Sequence, residues 1–265
     1  MKNLSLKLAI TVVGAMLFFT SCKKDGCTDP LASNYKVTAT EDDGSCEYGE
    51  VTATAPSGFT PSFAGSFGAF VSIKSLTTTN TGGITFDASI GTAVAMFSED
   101  GGANFQDAGE VKVNTKVLTK QDNNSYVFTP SASSPTGIDF TDDVSWVVAG
   151  GTWPAVTAAS SVGFPTVDDI NSGDVNTGSD YVLSCPEVAD ADSVYFGLYG
   201  SENAKFYIVA GGTSSYTFSA ADMVGLGSGD GFVQIVGINY DPQSIDGKDY
   251  WIINETARTK MVKFN

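Results

Sequence analysis

The chain has 265 residues, and its 30 acidic residues outnumber its 14 basic residues, so that the formal net charge is −16 at pH 7. A surface of this sign repels phosphate backbones, which excludes nucleic-acid binding. The chain contains no histidine, which excludes a Ser-His-Asp triad, a Cys-His pair and a histidine-ligated zinc site.

Residues 1–21 have the order of an export signal. Lys2 and Lys7 precede an apolar run from Leu8 to Phe19, which ends at Thr20-Ser21-Cys22. Such a run is too short to cross a hydrocarbon core, which needs ~20 residues, whereas small residues at its end are typical of a cleaved signal. Removal of this segment takes away two lysines and no acid, which leaves the mature chain at −18.

Because the signal ends at a cysteine, it resembles the signal peptide of a bacterial outer-membrane lipoprotein. Phe19, three residues before the cysteine, gives the looser form of the signal that is typical of Bacteroidetes-type lipoproteins. The resemblance implies that Cys22 carries palmitate or another acyl chain and anchors the protein in the membrane. Lys23-Lys24-Asp25 is similar to the short charged tag that directs such lipoproteins to the cell surface. The alternative is an ordinary secretory signal followed by a chance cysteine.

Residues 22–49 are predicted to form a lipidated stalk. Gly26 to Tyr48 reads GCTDPLASNYKVTATEDDGSCEY, which resembles a cysteine-clipped module, GCTDP…NY…DDGSC, that recurs in exported Bacteroidetes proteins. With Cys22 acylated, Cys27 and Cys46 remain as the obvious disulfide pair. The bond would close a loop of about twenty residues and contribute roughly 3 kcal/mol.

Calcium is the one cofactor that the stalk suggests, because it prefers hard oxygen ligands. The candidate ligands are Asp29, Asn34, Asp42 and Asp43, although the spacing is not that of an EF-hand. The expectation is that no cofactor binds and that these side chains make turn hydrogen bonds, with calcium as the alternative.

The rest of the chain has an all-β pattern of short apolar runs separated by turn signals. After a linker at residues 50–66, we expect two tandem immunoglobulin-like antiparallel β-sandwich domains, at residues 67–152 and 166–265, with a hinge at 153–165. Strands of the first domain are predicted at Ala69–Ser75, Ile84–Ala88, Thr92–Phe97, Val111–Leu118, Tyr126–Thr129 and Val144–Ala149. Those of the second are predicted at Tyr181–Cys185, Ser193–Tyr199, Lys205–Ala210, Ser215–Ser219, Phe232–Asn239, Tyr250–Asn254 and Thr259–Phe264, with one helical turn in Ala220–Leu226.

The sequence context of two single residues and one segment gives further predictions. Trp153 stands beside glycines and a proline, which predicts a ring buried as a plug between the domains, the alternative being an exposed ring that stacks on a sugar or a protein partner. The segment Asp241 to Asp249 is predicted to be an acidic loop, with cation binding as the alternative to a solvated turn. Cys185 lies in an apolar run and is expected to be a buried free thiol.

These patterns together predict a cell-envelope lipoprotein with a non-catalytic binding or structural role, for example an adhesin-like surface component. Its partners would be the membrane, through the lipid, and a protein or glycan at the cell surface. The alternative is a glycan-binding accessory lipoprotein for polysaccharide uptake, marked by a row of aromatic side chains on one sandwich face. An enzyme that uses paired carboxylates is the third interpretation, although no pair stands out in the sequence.

Overall fold

The structure is a computed structural model, and it describes residues 24–28, 36, 38–45, 61, 63–81 and 84–265. The fold is all-β, as predicted, and contains several sheets. Among the described residues, one short 3₁₀ helix, η1, occupies Ala220–Met223. A search of the described ranges for a helix with the length and apolarity to span a membrane finds none.

The strands in chain order are β1 (Asp25–Gly26), β2 (Glu41–Asp42), β3 (Phe67–Thr81), β4 (Ile84–Ser98), β5 (Val111–Val113), β6 (Lys116–Val117), β7 (Thr119–Lys120), β8 (Tyr126–Phe128), β9 (Val144–Val148), β10 (Val156–Ser160), β11 (Thr166–Val167), β12 (Tyr181–Ser184), β13 (Val188–Ala189), β14 (Ser193–Tyr199), β15 (Ala204–Ala210), β16 (Ser215–Phe218), β17 (Gly229–Ile245) and β18 (Lys248–Phe264). The largest sheet has the order β15-β14-β17-β18-β3-β4-β8-β7, and a second sheet has the order β10-β9-β5-β6. Three two-stranded sheets are formed by β1 and β2, β11 and β13, and β12 and β16.

The main body divides into two compact units that do not follow one another along the chain. The first contains residues 63–81, 84–165 and Ile238–Thr256, and the second contains Thr166–Gly237 and Ala257–Asn265. The long hairpin of β17 and β18 therefore supplies residues to both units. The predicted division into residues 67–152 and 166–265 differs from this arrangement, because it assigns the whole hairpin to the second domain.

The core of the first unit is built from strands of the eight-stranded sheet and strands of the second sheet. Strand β9 alternates buried and exposed residues, so that Val144, Trp146 and Val148 face inward. Phe70 of β3 stacks on Trp146 with ring centroids 4.9 Å apart and on Tyr250 of β18 at 5.8 Å. Contacts of this kind between two sheets are those of a β-sandwich.

The core of the second unit is formed by apolar residues of β14, β17 and β18 together with those of the pairs β12–β16 and β11–β13. Two basic side chains of β18 hold the segment that follows residue 166. Arg258 Nε donates a hydrogen bond to Val167 O at 2.9 Å, and Lys260 Nζ donates to Ser172 O at 2.6 Å. Side-chain donors thus form hydrogen bonds with carbonyl groups of this segment, in which few backbone groups pair with a neighbouring strand.

The predicted hinge at residues 153–165 is wrong for the first unit, because this segment contains β10. Strand β10 pairs with β9 in an antiparallel register, from Val156 opposite Val148 to Ser160 opposite Val144. Gly150 and Gly151, which directly precede this segment, make a turn within the unit. Gly150 has a φ of 92°, a left-handed conformation that glycine adopts without steric strain.

Gly91 in β4 is expected to be intolerant of any side chain. Its N–H donates to Thr136 O at 2.9 Å, and its carbonyl accepts from Ile138 N at 3.0 Å. A Cβ at this position would lie 1.8 Å from Ile138 O. Gly91→Ala should therefore lower the free energy of unfolding by about 2 kcal/mol or more, as measured by urea denaturation.

Gly173→Ala is the matched control, because a Cβ there has nothing within 4 Å. Its free energy of unfolding should stay close to that of the wild type. Equal losses in the two variants would contradict the close backbone approach at Gly91.

Candidate functional site

Most residues of the predicted stalk site lie outside the described residues. These are Cys22, Asp29, Asn34 and Cys46, so lipidation and the Cys27–Cys46 disulfide stay predictions. Cys27 itself is fully buried. Asp42 and Asp43 accept hydrogen bonds from the backbone N–H groups of Gly44 (3.0 Å) and Ser45 (2.9 Å). Both carboxylates thus make turn hydrogen bonds, and calcium binding at the complete ligand set stays an alternative.

The interpretation of Trp153 as an exposed ligand-binding ring is wrong, because the side chain is fully buried in the core of the first unit. The indole Nε1 donates to Tyr250 Oη at 3.2 Å, and Lys248 Nζ lies 4.3 Å from the ring centroid. The backbone turns the residue inward, since Trp153 N donates to Asp107 O at 2.8 Å. The ring therefore presents no free face on which a sugar could stack.

The predicted acidic loop from Asp241 to Asp249 is also wrong, because β17 continues to Ile245 and β18 begins at Lys248. Only Asp246 and Gly247 form the turn, with φ values of 51° and 76°. In the described part of the chain, no group of three or more acidic or cysteine residues is placed to hold a metal ion.

Cys185 is a buried free cysteine, which confirms the prediction made for it. Burial, followed by the charge of Asp168, raises the pKa of its thiol to about 11. A thiol with this pKa remains protonated at neutral pH, and the thiolate is the nucleophilic form. The residue is therefore a packed apolar side chain.

A cluster of aromatic and charged side chains lies in the second unit. Tyr207 of β15 and Tyr216 of β16 are half-buried and stack with ring centroids 4.7 Å apart. Asp222 of η1 accepts a hydrogen bond from Tyr207 Oη at 2.6 Å and forms an ion pair with Lys205 Nζ at 3.2 Å. Its second oxygen accepts from Ser219 N at 2.9 Å.

These donors set the charge of the cluster. Burial alone would raise the pKa of Asp222, but hydrogen bonds from Tyr207, Ser219 and Lys205 outweigh it and lower the pKa to about 2. Burial, and then the bond to Asp222, raise the pKa of Tyr207. At neutral pH the cluster is thus an ionised carboxylate held by a neutral phenol and an ammonium group. Half-exposed aromatic rings beside charged groups are suited to binding a polar ligand that has an apolar face.

A second unusual group is Glu255 of β18, which is completely buried in the first unit. Neither carboxylate oxygen has a hydrogen-bond partner in the described structure. Burial raises the pKa of this carboxyl well above its ordinary value. The folded protein therefore holds Glu255 as a neutral acid over a wide pH range.

The neighbours of Glu255 follow from the register of the hairpin. Counting outward from the turn places Gln234 opposite Thr259, and a hydrogen bond of 3.1 Å between Gln234 Nε2 and Thr259 Oγ1 agrees with this count. The same count places Ile238 opposite Glu255, and Ile253 is the next residue on the same face of β18. Both isoleucines are buried, so the carboxyl lies between apolar side chains.

Sequence reasoning missed both Asp222 and Glu255. Ser219-Ala220-Ala221-Asp222 has the spacing of a capping box, a signal that could have identified the acid. For Glu255 the available signal was the alternation Trp251, Ile253, Glu255, in which a carboxylic acid occupies an apolar face of a strand. Comparison with protein-family models and with curated proteins finds no match to the chain.

Glu255 should make the protein less stable as the pH rises. The unfolded side chain ionises near pH 4.5, while the folded one stays protonated, so the unfolded state gains the charged form first. Above that pH the free energy of unfolding should fall by up to about 1.4 kcal/mol per pH unit. Glu255→Gln removes this slope, so the stability of the variant relative to the wild type should be greater at pH 8 than at pH 4. Urea denaturation of both proteins at both pH values measures the difference.

Glu202→Gln provides the control, because Glu202 is exposed in the second unit. This variant should keep the pH dependence of the wild type. A Glu255→Gln protein with the wild-type slope would show that Glu255 does not stay protonated in the folded state.

Proposed function

We propose that the protein is a lipid-anchored outer-membrane component with a non-catalytic binding role at the cell surface. The anchor rests on the sequence, in which a basic and apolar segment ends at Cys22. The binding role rests on one observation of the structure, the half-exposed pair Tyr207 and Tyr216 beside Lys205 and Asp222. A protein or glycan partner at the cell surface would contact this cluster.

The proposal includes an architecture for the whole chain. Residues 22–49 form a stalk between the lipid and the sandwich units, stabilised by a disulfide between Cys27 and Cys46. Each unit is an immunoglobulin-like sandwich, which presents loops and strand edges to a partner. The acidic composition of the chain suits an exported protein that has to remain dispersed at a surface.

Labelling with a fatty acid tests the anchor. Cells that express the wild-type chain and grow with a labelled fatty acid should incorporate the label into the protein, because the thiol of Cys22 is the acylation site. Cys22→Ser should remain unlabelled, and Cys185→Ser should be labelled like the wild type. Equal labelling of wild type and Cys22→Ser would contradict the lipoprotein assignment.

Glycan binding is the second candidate function, and an aromatic row in the second unit favours it. Tyr207, Tyr216 and Phe218 pack against one another with centroid distances of 4.7 to 5.6 Å. Phe218 is fully buried, while the two tyrosines reach the surface. A pyranose ring has an apolar face that stacks on such a tyrosine, and its hydroxyl groups would bond Lys205 and Asp222.

Retention of the protein on cellulose, chitin or insoluble xylan tests this candidate. Tyr216→Ala should weaken retention roughly fivefold, because the loss of one aromatic stacking contact corresponds to about 1 kcal/mol. Tyr240→Ala is the matched control, since Tyr240 is also half-buried but lies in the first unit. If the wild type is retained on none of the three polymers, or if both variants lose retention equally, the tyrosine pair is not a glycan site.

A further inference from the structure

Strand β15 lies at one end of the order of the eight-stranded sheet. It pairs with β14 over all seven of its residues, from Ala204 opposite Tyr199 to Ala210 opposite Ser193. Its sequence is AKFYIVA. Among the described strands none pairs with the other side of β15, so this side is an open edge.

The hydrogen bonds that flank the β14–β15 ladder show which backbone groups face the open edge. Gly200 N donates to Asn203 O at 3.0 Å, and Gly211 N donates to Asp192 O at 3.1 Å. Bonds in these positions make the terminal pairs of the ladder non-hydrogen-bonded pairs, and the two types of pair alternate along an antiparallel ladder. Lys205, Tyr207 and Val209 therefore exchange bonds with β14.

The intervening residues Ala204, Phe206 and Ile208 direct their N–H and C=O groups away from β14. None of these six groups has a hydrogen-bond partner in the described part of the chain. The side chains along β15 are half-buried up to Val209. Unpaired groups in a row, spaced two residues apart, are a template for one more strand.

Edge strands usually carry a feature that prevents such pairing, for example proline, several charges, a bulge or very short length. Strand β15 has no proline, and Lys205 is its only charge. Its register with β14 is continuous, so it has no bulge. The edge is therefore available to a partner strand.

We propose that this edge pairs with β15 of a second copy of the chain, in an antiparallel arrangement with a two-fold axis at Phe206. This register places Phe206 opposite Phe206 of the second copy, and Ala204 opposite Ile208 of the second copy. Ala204, Phe206 and Ile208 of each copy then all lie in hydrogen-bonded pairs. Three pairs with two bonds each satisfy all six unpaired groups of each copy.

The side chains are also complementary in this register. Lys205 lies opposite Tyr207 of the second copy, so that each ammonium group faces an aromatic ring and the two lysines are not opposite each other. Within one copy Lys205 Nζ is already 5.5 Å from the Tyr207 ring centroid. Strand β15 contains no acid, and the carboxylate that contacts it, Asp222, is already paired with Lys205 and Tyr207 of the same copy. The interface is isologous, which closes a dimer rather than an open filament.

Sedimentation of the purified full chain tests the pairing, and the result is independent of the proposed function. The wild type should form dimers. Ala204→Pro removes an outward N–H at the first residue of the strand, where proline is tolerated. It should weaken the dimer roughly tenfold or more, because two of the six bonds are lost. Ala210→Pro changes the same strand outside the three pairs and should dimerise like the wild type.

Cysteine cross-linking tests the register and distinguishes a second copy from other partners. Hydrogen-bonded pairs have Cα atoms about 5.5 Å apart, within the range for a disulfide. Phe206→Cys should therefore form a covalent dimer on oxidation, whereas Ile208→Cys should not, because Ile208 lies opposite Ala204 of the second copy. A monomeric wild type, a dimer that Ala204→Pro leaves intact, or a cross-link only through Ile208→Cys would each overturn the proposal.

Discussion

The two-residue turn at Asp246 and Gly247 is the constraint on which both units depend. A type I′ turn requires positive φ at both central residues, which Asp-Gly adopts readily, and the observed values are 51° and 76°. The turn sets the register of β17 and β18, which have 17 residues each. A slip of one residue in β18 would turn Tyr250 and Ile252 away from the first core and Val262 and Phe264 away from the second. Local backbone chemistry at two positions thus determines the packing of both cores.

The sequence predicts the position of a strand well where apolar and polar residues alternate over a short run. Ser193–Tyr199 matches β14 residue by residue, and Val144–Ala149 exceeds β9 by one residue. Signals that break a pattern were less informative. Asp-Gly at 246 and 247 was interpreted as part of a loop, although the same dipeptide is the strongest short signal for a hairpin. The segment predicted as a hinge at residues 153–165 belongs to the first unit, because Trp153 N donates to Asp107 O and β10 pairs with β9.

The candidate sites were harder to predict than the strands, because the same residue type has opposite properties in different surroundings. Asp222 and Glu255 are both carboxylic acids close to apolar side chains. Three partners lower the pKa of Asp222 to about 2, whereas burial without a partner raises the pKa of Glu255. The difference arises from Tyr207 and Lys205, which are 15 and 17 positions away from Asp222 in sequence. Spacing along the chain does not reveal such contacts, since they depend on how β15 packs beside η1.

The two ends of the large sheet show that its edges differ in protection. Strand β7 has only two residues, and Lys120, one of them, forms an ion pair with Asp107 at 2.9 Å. Length and charge both oppose the addition of a strand there. In the smaller sheet, the edge strand β10 has its Ala159 carbonyl occupied by Gln243 Nε2 at 2.7 Å. Strand β15 has neither kind of protection along Ala204, Phe206 and Ile208. An unprotected edge exposes a protein to aggregation. The lack of protection at β15, in a chain that protects β7 and β10, is explained physically if a partner strand normally covers β15.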